Sequence, residues 1–133
     1  GFKGRRRELT RPALHELDAR AGIRSANVVG EYGMTELSSQ WYDAIAGRGG
    51  PVEERAYEPP PWARTRVLDP VTLTEVADGQ VGLLSHFDPM NLDSVSAILT
   101  SDLGERAGDG FKYRGRATGA ALRGCSLRDE GDL

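Results

Sequence analysis

Apolar positions recur along the chain with two different periods. In "TRPALHELDARAG", Leu14 and Leu17 lie three apart and Ala13 and Leu17 four apart, the spacing of a one-sided helix. Thr10 is placed to cap that helix, Pro12 falls in its first turn, where a missing N–H does no harm, and Gly22 ends it. Ile23 then leads through "SANVVGEYG", which reads as a short buried strand ending in glycines. A helix followed by such a strand predicts half of an α/β unit, with ligands expected at the strand's carboxyl end. From Gly47 to Pro61, "GRGGPVEERAYEPPP" has no periodicity and reads as a long loop of the functional or mobile kind. Beyond it, "WARTRVLDP", "GQVGLLSHFD", "SVSAILTSD" and "GFKYRGR" are β-rich runs, with turns at Asp69-Pro70, Asp78-Gly79 and Asp109-Gly110. The fold class predicted is α/β in the α+β sense. A small helix–strand portion precedes an antiparallel, barrel-like β portion, with residues 1–133 forming one domain and 47–61 linking its two parts. Leu14, Leu17, Val28, Val29, Val67, Leu83, Leu84 and Ile98 are the expected core.

Composition narrows the possibilities. With 38% hydrophobic and 28% charged residues and a formal charge of −3, the chain resembles one ordinary cytoplasmic domain or part of a larger one. No apolar run is long enough to span a bilayer. The opening "GFKGRRRELTR" is basic and not followed by an apolar stretch, so no signal peptide is expected. Cys125 is the single cysteine, which excludes an internal disulfide and a multi-cysteine zinc site. His15 and His86 are too far apart in sequence to suggest a histidine metal site. Arg5, Arg6 and Arg7 raise the question of nucleic acid. Glu8, Glu16 and Asp18 follow them without interleaved aromatics, so the cluster reads as a solvated face and no nucleic-acid partner is expected.

The stretch "GEYGMTE" is less generic. Glycines on either side of Tyr32 let backbone approach a ligand closely, and the Tyr32 ring offers a flat surface to adenine or ribose. Thr35 can donate to a phosphate oxygen, and Glu36 can hold Mg²⁺, a hard cation that takes carboxylates together with substrate phosphates. The plainer alternative makes Thr35 a helix N-cap with Glu36 in the first helical turn.

Three stretches occur in order: "EYGMTE" at 31–36, "TSDLG" at 100–104 and "DGFKYRGR" at 109–116. Together they resemble the motifs that surround ATP or acyl-AMP in adenylate-forming enzymes. "GFKGRRRELTRPAL", "PPPWARTRVLDP", "LDSVSAILTSDLG" and "GAALRGCSL" are similar to the LuxE-type acyl-protein synthetases, the long-chain fatty-acid–protein ligases. The resemblance implies an ATP- and Mg²⁺-dependent ligase that forms acyl-AMP from a carboxylic acid, a fatty acid by the family's pattern, and passes the acyl group to an acceptor protein's thiol. It implies that Tyr32, Gly33, Thr35, Glu36, Asp102 and Arg116 hold the nucleotide, with Asp102 on the ribose hydroxyls and Glu36 on the metal. Thr35 and Cys125 then serve the chemistry. Cys125 takes the acyl group as a thioester, with Arg123 nearby to favour the thiolate. "GFKG" is similar to the turn lining the adenine side.

Two features of the family pattern are missing from the sequence. No Ser/Thr/Gly-rich phosphate loop is present, nor is a C-terminal domain with a catalytic lysine. Thr118 and Gly119 stand where an acidic pair ordinarily follows Gly-Arg. The chain therefore reads as the C-terminal part of such a ligase, and a missing N-terminal portion, a partner chain or self-association is expected to complete it. Two alternatives stay open: transfer to coenzyme A, as in phenylacetate–CoA ligases, and a non-catalytic nucleotide- or acyl-binding fragment.

Overall fold

The computed structural model describes residues 9–117. Helix α1 spans Arg11–Arg20, with the Ala13 N–H donating to Thr10 Oγ1 at 3.4 Å. Gly22, at φ +83°, turns the chain out of it. Both ends lie where the capping residues predicted. The helix does not dock by its leucines: Leu14 and Leu17 remain about half exposed. Arg11, His15 and Asp18, spaced four and three apart, form the face turned inward. His15 is buried with Nδ1 3.0 Å from Ser25 Oγ, and Arg11 pairs with the buried Asp43 and lies 5.1 Å over the Tyr57 ring. Polar anchors thus orient this helix, and the expected apolar stripe faces away.

The expected strand through Val28 and Val29 is absent. Ser25–Asn27 form a single 3₁₀ turn, and Val28 and Val29 are half-buried in irregular backbone. The reason lies in Arg55. Its guanidinium is buried and takes the carbonyls of Val28 at 2.8 Å, Ser25 at 3.0 Å and Gly50 at 2.9 Å. Two acceptors that a ladder in this stretch would use are therefore already occupied. Strand β1 is only Glu31–Tyr32 and pairs antiparallel with β2, Trp41–Tyr42, in the register Tyr32 to Trp41. No parallel pairing occurs among the described residues.

Residues 47–61 are more ordered than their composition suggested. A 3₁₀ turn covers Val52–Glu54, and Tyr57 exchanges both backbone hydrogen bonds with Phe111, at 2.7 and 3.1 Å. The Glu58 N–H reaches the Tyr42 carbonyl at 3.0 Å. The second half of this loop is stitched to both sheets.

The four later runs form the strands that their β-branched and aromatic content predicted: β3 Arg64–Leu68, β4 Val81–Phe87, β5 Ala97–Ala107 and β6 Gly110–Arg116. They make an antiparallel meander in the order β3-β4-β5-β6, open rather than closed into a barrel. The β5–β6 turn is Gly108-Asp109, one residue earlier than expected. Its hairpin carries one irregularity. Gly104 pairs with Tyr113 but Leu103 pairs with Gly115, so Arg114 is an extra residue on β6. Gly115 adopts φ +100°, which a side chain would resist, and the displaced register sets Asp102 directly across from Arg116.

One face of the sheet carries the core. Val67 lies opposite Leu84, and Thr65 opposite His86. Against this face pack Tyr32, Leu37, Trp41, Tyr57, Ala63 and Phe111, with Ile98 partly buried alongside. Leu83 is buried outside this cluster. Of the expected core, Val67, Leu83 and Leu84 are buried, each worth roughly 1.5–3 kcal/mol.

Candidate functional site

Chain segments far apart in sequence meet at Asp102, which is 7% exposed on β5. Tyr32, from β1, donates its hydroxyl to Asp102 Oδ2 at 2.9 Å. Arg116, opposite on β6, donates Nε to Asp102 Oδ1 at 2.9 Å. The Asp102 N–H is held by Thr100 Oγ1 at 3.0 Å, and the Thr100 hydroxyl donates to the Leu84 carbonyl at 2.9 Å. A carboxylate has about four acceptor positions. With one taken by Tyr32 and one by Arg116, Asp102 retains capacity for a ligand that donates twice.

Tyr32 differs from its expected role as an open aromatic platform. Its ring is buried among Trp41, Tyr57, His86, Phe111 and Tyr113, with edge-to-face contacts to Trp41 and Phe111 at 6.5 and 5.0 Å. What it presents to the site is the hydroxyl. Burial first, then the Asp102 charge, pushes that hydroxyl well above its ordinary pKa, so it stays a donor. The Arg116 guanidinium is held protonated by its bond to Asp102, which raises its pKa further.

Gly33, Thr35 and Glu36 lie on the loop joining β1 to β2, all exposed. Thr35 and Glu36 form a turn that leads into no helix, so Thr35 is not a helix N-cap. The loop is held from beneath by Asp88, just past the end of β4 and fully buried. Asp88 Oδ2 accepts the Ser38 and Ser39 N–H groups at 3.0 and 2.7 Å, and Oδ1 accepts the Ser39 hydroxyl at 2.9 Å and the Met90 N–H at 3.1 Å. Burial alone would raise the Asp88 pKa; the bonds from Ser39, Met90 and Ser38 outweigh it and bring the pKa below the ordinary carboxylate value. Asn91 adds a clamp, donating to the Glu36 carbonyl at 2.8 Å and the Val95 carbonyl at 2.9 Å.

Sequence reasoning missed Asp88 and His86. His86 is 1% exposed, between Thr65 Oγ1 at 3.0 Å from Nδ1 and the Tyr32 hydroxyl at 3.3 Å from Nε2. Burial lowers its pKa to about 4. The signal was there in the alternation of β4: His86 is two residues from Leu84 and so shares its inward face. Asp88-Pro89 ends an apolar run, a turn signature that merited the same notice.

The expected set thus divides. Tyr32, Asp102 and Arg116 come together, Gly33, Thr35 and Glu36 sit exposed on an anchored loop, and Cys125, Arg123, "GFKG", Thr118 and Gly119 lie outside the described residues. No group of three or more metal-ligating side chains occurs among the described residues. A magnesium ion here fits only the pattern in which a single carboxylate, Glu36, shares it with substrate phosphates. No helix among the described residues is long and apolar enough to cross a membrane.

Solved structures give the fold. The chain is similar to apo MatB from Rhodopseudomonas palustris, with a TM-score of 0.58 at 23% identity over 83% of this chain and 24% of that one. It is also similar to McyG A-PCP complexed with phenylalanyl-adenylate, with a TM-score of 0.55 at 16% identity over 78% of this chain and 22% of that one. The fold is that of part of an adenylate-forming domain. The family model "Acyl-protein synthetase, LuxE" matches residues 20–131, and the chain belongs to that family. Among curated relatives, the long-chain-fatty-acid–luciferin-component ligase of Aliivibrio fischeri is 49% identical over 45 residues, 34% of this chain and 12% of the relative. The ligase of that name from Vibrio harveyi is 32% identical over 75 residues, 51% of this chain and 20% of the relative. The chain therefore spans only a small part of the length of the relatives it matches.

Proposed function

We propose that this chain supplies the ribose- and phosphate-facing part of an ATP-dependent ligase that activates a fatty acid and passes it to a protein thiol. The observation that supports this most directly is that the buried Tyr32 and Asp102 meet the exposed Arg116, while Thr35 and Glu36 stand exposed on an anchored turn that begins just past Tyr32. Asp102 accepts from the ribose diol with its free lone pairs, Arg116 fixes Oδ1, and Thr35 donates to a phosphate oxygen. Glu36 would hold Mg²⁺, which when bound would supply neutralisation of phosphate charge. In the first step a fatty-acid carboxylate oxygen bonds to the α-phosphorus of ATP, and the bond to pyrophosphate breaks. In the second the Cys125 thiolate attacks the acyl carbon of acyl-AMP, forming a thioester and releasing AMP. The protein's part is chiefly to position the nucleotide and stabilise its charge.

Intact-mass analysis of the chain after adding preformed acyl-AMP tests this, with Cys125→Ser alongside. The expected result is a hydroxylamine-sensitive acyl adduct on the wild type only. A chain that binds the adenylate yet gains no adduct is a binding part, with its acceptor thiol elsewhere.

A further inference from the structure

Behind Asp102 runs a line of polar groups to which the nucleotide roles assign no task. Trp41 Nε1 donates to Thr65 Oγ1 at 2.8 Å. Thr65 Oγ1 lies 3.0 Å from His86 Nδ1, His86 Nε2 lies 3.3 Å from the Tyr32 oxygen, and Tyr32 donates to Asp102. The direction of every bond follows from its two ends. An indole N–H can only donate, and a carboxylate paired with a guanidinium can only accept. Since the Tyr32 proton goes to Asp102, its oxygen must accept from His86, which places the imidazole proton on Nε2. Nδ1 then carries a lone pair and takes the Thr65 proton. The neutral ring this requires agrees with its burial.

We propose that His86 is a positioning residue for Asp102: as the Nε2–H tautomer it completes a one-way chain from Trp41 through Thr65 and Tyr32 that fixes the carboxylate and leaves its other lone pairs for a vicinal diol. This rests on the ribose role given to Asp102 above. A phenol hydroxyl rotates about its C–O bond. With His86 donating to its oxygen, the Tyr32 proton stays directed at Asp102, and Oδ2 is held in place. Chains of this kind are cooperative, and at metal sites, where the same logic of orientation holds, losing a group that orients a ligating side chain costs roughly 10–100-fold in affinity.

Nitrogen-15 NMR of the folded chain near neutral pH reads the tautomer without any ligand. A protonated Nε2 with bare Nδ1 is expected; a protonated Nδ1 overturns the chain of bonds. Titration with AMP and with 2′,3′-dideoxy-AMP then reads the consequence. The wild type is expected to prefer AMP, His86→Leu to lose that preference by roughly ten-fold, and His86→Gln, which keeps a donor at the Nε2 position, to restore most of it. An unchanged preference in His86→Leu, or no restoration by Gln, overturns the proposal. If the wild type shows no preference for AMP, or if Asp102→Asn leaves the preference intact, the ribose role itself fails. The tautomer then still judges the hydrogen-bond chain separately.

Discussion

Replacing Asp88 by alanine isolates what holds the Thr35–Glu36 loop. Four donors converge on this carboxylate, and they differ in what happens when it goes. Ser38 and Met90 are exposed, so water replaces the lost acceptor for their N–H groups at little cost. Ser39 is 6% exposed, and its N–H and hydroxyl protons are left without an acceptor, although the hydroxyl oxygen still accepts from Trp62 Nε1 at 2.9 Å. Each such buried group costs roughly 1–3 kcal/mol, so the pair amounts to about 4 kcal/mol. That is a large share of the ~5–15 kcal/mol that a domain has in total. With a urea slope of ~1–3 kcal/mol per molar, the unfolding midpoint falls by about 2 M. Asp88→Asn keeps an acceptor at Oδ1 but turns an amide NH₂ toward the Ser38 and Ser39 N–H groups, and it is expected to cost about half as much. Urea unfolding of the three proteins, followed by tryptophan fluorescence, measures this directly. An alanine variant within about 1 kcal/mol of the wild type would refute the reasoning, because water would then satisfy Ser39 as well as Asp88 does.

Two further outcomes follow from the same geometry. His86 titrates near 6.5 in the unfolded chain but is held neutral in the fold down to about 4. The unfolded state therefore gains the proton first, and stability falls as pH drops through that window by up to roughly 3 kcal/mol, with no contribution above it. In His86→Gln this part of the slope is expected to vanish; an unchanged pH profile argues against it. At Gly82, an added Cβ would collide with the Leu68 carbonyl oxygen, which belongs to a paired strand and cannot move aside. Gly82→Ala is expected to lose about 2–3 kcal/mol, and an unaltered melting temperature contradicts that.

The antiparallel half was legible because its signal is local: β-branched runs, punctuated by turn residues, form strands whatever lies beside them. The first half was not. Val28 and Val29 carry strand propensity, but Arg55 claims carbonyls in that stretch from 27 residues away, and no local pattern records this. Leu14 and Leu17 have helical spacing and the helix exists, yet Arg11 and His15 decide which side faces in. At the site, Tyr32, Asp102 and Arg116, which three separate motifs picked out, meet in the fold. They could not reveal that the Tyr32 ring is enclosed, since that depends on Trp41 and Phe111 arriving from two other strands.

The extra residue on β6 gives the hairpin an asymmetric tolerance to changes in length. If the irregularity at Arg114 were smoothed out without a change in length, Gly115 would stand opposite Asp102 and Arg116 would turn to the other face. Deleting one residue at this point, by contrast, restores a regular ladder in which the arginine still faces the aspartate. An added residue has no such outlet: it must widen the irregularity or slip the strands. Over time this hairpin can shed a residue and keep its site aligned far more readily than it can gain one.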